Sequence, residues 1–257
     1  MATVDLVIPC YNEQRVIARS VRTTLAWIDA HPEHGHEWRV VVADNASTDR
    51  TLEVARELEA EHPGRVAALH IPVKGRGMAL RTAWLTSQAA VVAYMDADLS
   101  THLDHLGELI DPIVRGEVAL TYGTRLAAAS RTNRGLRREL ISRGYVRILR
   151  LALGLHVSDA QCGFKAMSRE AARALVPLVR DNRWFFDSEL LFVAQRNGYR
   201  MLEVPVRWDE DDDSRVAIVR TAIEDLRGIW RLRRTDVARP LRGDGETPRD
   251  RLERDAR

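Results

Sequence analysis

Ala90-Val91-Val92-Ala93-Tyr94-Met95-Asp96-Ala97-Asp98 joins an unbroken apolar run to a pair of carboxylates. Six apolar residues in succession, Ala90 to Met95, fit a strand buried on both faces of a parallel sheet. Three similar runs precede it: Leu6-Val7-Ile8, Val40-Val41-Val42-Ala43, and Val66 to Ile71. Helical spacings separate them. Residues 13–28 put Val16, Ile17, Val21, Leu25 and Ile28 on one face, and residues 50–61 do so with Leu52, Ala55 and Leu58 behind the capping run Ser47-Thr48-Asp49. Another helix is expected over 76–88. The repeated strand–helix unit predicts an α/β fold, a mostly parallel sheet with helices on both faces. Ligands of such sheets sit beyond the carboxyl ends of strands, so the segments after residues 9, 43, 71 and 95 should surround one site.

The second half alternates less regularly. Leu120-Thr121-Tyr122-Gly123 reads as a strand, and 136–153 as an Arg-rich helix. A loop at 157–165 leads to a short strand or turn. Helices are expected at 169–179 and 185–197, the latter apolar but carrying Asp187 and Glu189. Met201 to Trp208 is a final strand. Residues 216–234 form a basic amphipathic helix, with Val219, Ile223, Leu226 and Trp230 at helical spacing among arginines. Residues 235–257 hold six Arg and six acids with few apolar residues, which reads as a solvated, disordered tail.

Charge narrows the partners. The total is near balance, 39 Lys+Arg against 37 Asp+Glu. Residues 115–150, however, hold nine Arg against Glu117 and Glu139. Such a field suits phosphate groups or an anionic membrane surface. Few aromatics interleave those arginines, so stacking on single-stranded nucleic acid has little support, and no nucleic-acid partner is expected. No run of 18 apolar residues occurs, so no transmembrane helix is expected, and no secretory signal is expected from the strand-like run Val4 to Ile8. Cys10 and Cys162 are too few for a disulfide scaffold, and a reducing, cytoplasmic setting is expected.

Asp96 and Asp98, two apart on an extended segment, would point to one side and could hold a diphosphate through Mg²⁺ or Mn²⁺. Alone, such a pair is more often two solvated acids at a loop start; its place at the sheet's carboxyl edge favours the metal. Asp44 could accept a hydrogen bond from a nucleobase N–H. Lys74-Gly75-Arg76-Gly77 opens a helix where glycines allow close backbone approach and cations favour phosphate. It meets neither the dinucleotide fingerprint nor the P-loop pattern. The acid run Asp209 to Asp213 lacks the Gly and Glu of a calcium loop. Cys162 reads as a buried small residue rather than a nucleophile.

Taken in order, Ile8-Pro9-Cys10-Tyr11-Asn12-Glu13, Asp44-Asn45-Ala46-Ser47-Thr48-Asp49, Lys74-Gly75-Arg76-Gly77 and Asp96-Ala97-Asp98 resemble the landmarks of family 2 glycosyltransferases with the GT-A (Rossmann-like) fold. Asp159-Ala160-Gln161-Cys162-Gly163-Phe164-Lys165, Arg183 to Leu191, and Val206-Arg207-Trp208 with Ser214-Arg215-Val216 resemble the dolichyl-phosphate β-glucosyltransferase branch. The resemblance covers roughly residues 4–220 and implies one catalytic domain over 1–234, closed by the helix at 216–234. It implies that Pro9, Tyr11, Glu13 and Asp44 line the nucleoside pocket, with Arg76 near the nucleotide. Asp96 and Asp98 would bind the metal and the sugar diphosphate, Asp98 as the direct ligand. Asp159 and Gln161 would face the sugar or acceptor phosphate, Arg125 and Arg138 would hold the lipid phosphate, and Ser214 and Arg215 would belong to a donor-side loop. Arg76 and Arg215 stand where the family commonly has Lys, which keeps the charge but not the geometry.

The implied reaction is inverting transfer of glucose from UDP-glucose to a polyprenyl phosphate. That acceptor is already anionic and scarcely needs a general base. The basic helices at 136–153 and 216–234 would then rest on the inner, cytoplasmic face of a membrane as a peripheral contact. Polyprenyl-phosphate mannose synthesis from GDP-mannose, transfer to a polysaccharide hydroxyl, and a non-catalytic nucleotide-sugar or RNA-binding module are the competing readings.

Overall fold

The computed structural model describes residues 1–133, 136–209 and 218–235. The first half follows the strand–helix repeat: β1 (Thr3–Cys10), α1 (Ile17–Ala30), β2 (Glu37–Asn45), α2 (Thr51–Glu61), β3 (Val66–Ile71), α3 (Arg76–Thr86) and β4 (Val91–Met95). The second half adds α4 (Leu106–Val114), β5 (Leu120–Thr124), β6 (Arg131–Asn133), α5 (Leu136–Leu153), β7 (Phe164–Ser168), α6 (Arg169–Leu175), α7 (Phe186–Arg196), β8 (Met201–Pro205), β9 (Arg207–Asp209) and α8 (Ile218–Leu232). Seven strands form one sheet in the order β3-β2-β1-β4-β7-β5-β8, and β6 pairs with β9 beside it. Every pairing in the large sheet is parallel except those of β7, which runs against β4 and β5.

Alternation along each strand builds a core on each face. Val92 and Tyr94 of β4 and Val7 of β1 face α3, α5, α6, α7 and α8, where Leu80, Trp84, Leu149 and Leu190 are buried. Val91, Ala93 and Met95 face the other way, with Leu6 and Ile8, against α1, α2 and α4. Each such side chain taken fully from water contributes about 1.5–3 kcal/mol, which offsets the cost of ordering the chain. The expectation of helices on both faces is met.

Two elements depart from the expectation. Residues 106–114 form a helix that apolar spacing alone did not reveal, because Pro112 lies within it. The final strand, expected over 201–208, is two. β8 stops at Pro205, which has no N–H for a ladder, and Arg207–Asp209 pairs instead with β6. Residues 235–257, read as a tail, lie outside the described residues apart from Thr235, as do Ser214 and Arg215.

Candidate active site

Parallel pairing brings the ends of β1, β2, β3 and β4 to one edge. Because β7 is reversed, with Met95 opposite Phe164 and Tyr122 opposite Lys165, its first residue and the last of β5 reach the same edge. The topology therefore collects Asp96, Gly163 and Arg125, which are far apart in sequence.

On one flank the loop after β1 is laced to the loop after β2. Asn12, left-handed at φ 58°, accepts a hydrogen bond from the Thr48 N–H at 2.8 Å, and its own N–H donates to Ser47 Oγ at 3.0 Å. The Glu13 N–H donates to Thr51 Oγ1 at 2.8 Å. Pro9 pairs with Ala43 near the end of β1, so Tyr11 and Glu13 follow directly at the rim. The Lys74 ammonium stands 3.3 Å above the centre of the Tyr11 ring, a cation–π contact. Asp44 is fully buried. Its carboxylate meets His70 Nδ1 at 2.7 Å and accepts a longer bond from the Ser47 N–H. The glycines of 74–77 do allow close approach, but to the protein itself: Gly77 packs on Phe186, and Gly75 on the Asn182 carbonyl.

Asp96-Ala97-Asp98 is not extended. It forms a turn in which the Leu99 N–H bonds to the Asp96 carbonyl, and Leu99 takes a φ of 55°. Alternation therefore does not aim the two acids, and the turn does. Asp96 accepts from Arg76 at 2.7 Å and keeps 37% of its side chain accessible, while Asp98 is exposed with one oxygen capping the Ser100 N–H at 2.9 Å. Arg76 lies between the Tyr94 and Trp184 rings, 5.2 and 5.0 Å from their centres. Burial works against its charge, but Asp96, Tyr94, Asp187 and Asp98 together outweigh burial and the guanidinium pKa is raised. Burial raises the Asp96 carboxyl above its ordinary value. Arg76 opposes that shift, and Asp98 and Asp187 add to it.

Arg125 grips Asp159 with both prongs, Nε at 2.7 Å and one Nη at 3.0 Å, and its N–H adds a third bond. The Gln161 N–H donates to the same carboxylate at 3.0 Å. Burial would raise the Asp159 pKa, but Arg125 and these N–H groups pull it down to about 2. Asp159 thus turns to Arg125 and orders the loop, while Arg125 lies within electrostatic reach of Asp96. The Gln161 side chain donates to Asp225 of α8 at 3.0 Å. Arg138 is half-buried near the start of α5. Burial pushes the Cys162 thiol up to about 12, so it is no nucleophile near neutral pH.

A match to the model of "Glycosyl transferase family 2" spans residues 5–176. The chain belongs to glycosyl transferase family 2. It is 38% identical over 235 residues to the glycosyltransferase AglD of Haloferax volcanii, covering 89% of this chain but 37% of AglD. It is 33% identical over 244 residues to a dolichyl-phosphate beta-glucosyltransferase of Trichomonas vaginalis, covering 87% of this chain and 72% of that protein. The fold matches the GT-A fold of glucosyl-3-phosphoglycerate synthase from Mycobacterium tuberculosis, solved with UDP, at a TM-score of 0.66 and 22% identity. That superposition covers 91% of this chain and 81% of the synthase.

In this glycosyltransferase Asp96 and Asp98 are the rim's candidate oxygen donors to a divalent ion. Among the described residues no group of three or more His, Cys, Asp or Glu could form a closed metal cage. Two carboxylates at an open rim, Asp98 exposed and Asp96 partly accessible, suit a hard cation whose other oxygens come from a diphosphate. Beneath the rim lies a network that pattern reading missed. Buried Lys165 meets Asp187 at 3.0 Å and the Cys162 carbonyl at 2.6 Å, and the Tyr94 hydroxyl bonds to Asp187. The available signal was an acid in an apolar helix, since a buried carboxylate requires a cation. His70 was missed likewise, though it faces Asp44 across the β2–β3 ladder.

Proposed function

We propose that the chain transfers glucose from UDP-glucose to a polyprenyl, dolichyl-type phosphate, giving a β-linked lipid-phosphate glucose. The observation that carries this reading is the shared rim, where Asp96 lies within electrostatic reach of Arg125. One flank offers oxygen donors for a cation-bound diphosphate, and the other offers the Arg125 guanidinium for a second anion. Likeness to dolichyl-phosphate beta-glucosyltransferases supports glucose over mannose.

Asp98 and Asp96 would hold Mg²⁺ or Mn²⁺, which neutralises charge on the departing nucleotide diphosphate when bound. Tyr11, Glu13, Pro9 and Asp44 would border the nucleoside, and Arg76 orients Asp96. Arg125 and Arg138 hold the lipid phosphate. With two prongs committed to Asp159, Arg125 contributes its remaining Nη and its charge. The acceptor phosphate oxygen attacks the anomeric carbon opposite the leaving group, so positioning does the work of a base. Gln161 faces the sugar or acceptor.

The acceptor's hydrocarbon calls for a surface. No described helix is long and apolar enough to cross a membrane. Instead α5 exposes Leu140, Ile141, Ile148 and Leu151, and α8 exposes Ile223, Leu226 and Trp230. Arg147, Arg150 and Arg227 flank these faces, the pattern of helices lying in an anionic interface, such as the inner leaflet. The test is donor competition. Purified protein receives radiolabelled UDP-glucose or GDP-mannose with polyprenyl phosphate. Labelled lipid from UDP-glucose is expected, and label only from GDP-mannose overturns the glucose assignment.

A further inference from the structure

Asp225 is a carboxyl group that the reaction described above leaves unused. It sits on α8, 4% exposed, on the face that also buries Ile229 and Leu232 and seats Gly228 against Phe185. Gln161 Nε2 donates to its Oδ2 at 3.0 Å, and its Oδ1 is buried with no hydrogen-bond partner. The opposite face of the same helix carries the exposed Ile223, Leu226 and Trp230. Two ion pairs hold α8 down: Arg231 grips Glu189 with two bonds of 2.7 Å, and Glu224 meets Arg183 at 3.0 Å.

We propose that Asp225 is a positioning residue for glycosyl transfer: its bond to Gln161 fixes which end of that amide faces away from α8, and ties α8 to the Asp159–Gly163 loop. The inference rests on the reading of the chain as a transferase acting at this rim. The amide has one donor end and one acceptor end. An ionised Asp225 can only accept, so it holds the NH₂ end and leaves Oε1 for a ligand hydroxyl. A neutral Asp225 can donate, which permits the reversed amide and presents NH₂ instead. The switch falls in a usable range, because burial raises the Asp225 pKa to about 7. The charged and titratable groups around it come from several elements. Tyr145 on α5 feels its charge and bonds to Ser188 of α7, while Asp181 and neighbouring Glu224 add repulsion; Gln161 alone lowers the value.

Two measurements test this on the full chain. The first follows the side-chain amide resonances of Gln161, assigned by their loss in Gln161→Ala, between roughly pH 5 and 9. They are expected to titrate with a midpoint near 7 in the wild type and to stay flat in Asp225→Asn. The second is kcat and KM against pH with UDP-glucose and polyprenyl phosphate. Asp225→Ala is expected to lower kcat about 10²-fold, the size of a small misplacement, with the UDP-glucose KM unchanged. Asp225→Asn should remove the pH limb near 7 while unfolding at a higher temperature above that pH, since it spares the fold a buried charge. A merely structural residue would lose stability and activity together. Flat Gln161 resonances in an active wild type, or an unchanged pH profile in Asp225→Asn, overturn the role of Asp225. A wild type that shows the titration but glucosylates no polyprenyl phosphate overturns the acceptor reading alone.

Discussion

Gly163 lies against the Asp96 carboxyl so closely that a β-carbon at 163 would overlap Asp96 Oδ2. The neighbour is a carboxyl also held by Arg76 at 2.7 Å, so it has little room to yield. Gly163→Ala is therefore expected to push Asp96 out of place and lower kcat by about 10²-fold. Steady-state turnover beside circular dichroism checks this. Near-wild-type turnover in a folded variant would show that the position of Asp96 is not critical.

Asp96 and Asp98 should separate stability from chemistry. Asp98 is exposed and makes one capping bond, so Asp98→Asn should leave the melting temperature almost unchanged. It should abolish transfer and Mn²⁺ binding in the presence of UDP, which paramagnetic resonance reads directly. Asp96→Asn deprives half-buried Arg76 of its counter-charge and should lower both activity and the melting temperature. Unaltered Mn²⁺ affinity in Asp98→Asn would reject its role as a ligand.

The Arg125–Asp159 pair predicts an acid limb of stability. The Asp159 pKa in the fold is about 2, below the ordinary 3.8. A depressed carboxylate pKa gives stability that is whole above the ordinary value and lost as pH falls through the folded one. Urea unfolding between pH 4 and pH 2 should therefore steepen in the wild type and flatten in Asp159→Asn. At neutral pH, Asp159→Ala leaves a buried guanidinium unpaired and should cost about 3–5 kcal/mol. An equal pH slope in Asp159→Asn would remove Asp159 from this account.

The sheet and its edge were legible because unbroken apolar runs and period-3.6 spacing carry packing directly. Four apolar runs gave β1 to β4, and parallel order placed their ends together. Reversal of β7 was not legible. A five-residue strand, Phe164–Ser168, carries no mark of direction, yet that reversal is what brings Gly163 to Asp96. The carboxylate pair was readable as chemistry but not as shape, since the turn depends on Leu99 adopting φ 55°. Arg125 was readable as a cation. Its commitment to Asp159 was not, because a buried charge finds its partner through tertiary structure.

The exposed faces of α5 and α8 predict a surface for the proposed lipid acceptor. Leu151 is 78% exposed and Trp230 59%, on helices that touch each other and bury their other sides. Large apolar side chains kept in water with arginines at their flanks gain free energy by entering an anionic interface. Replacing both, as Leu151→Asp with Trp230→Asp, adds charge where lipid would lie but disturbs no buried contact. Flotation with vesicles of anionic phospholipid should fall at least tenfold, while UDP binding and the melting temperature stay as in the wild type. Turnover of a long-chain polyprenyl phosphate in vesicles should fall in parallel, and turnover of a short-chain, water-soluble analogue should not. Flotation that persists in the double variant would overturn the role of this surface.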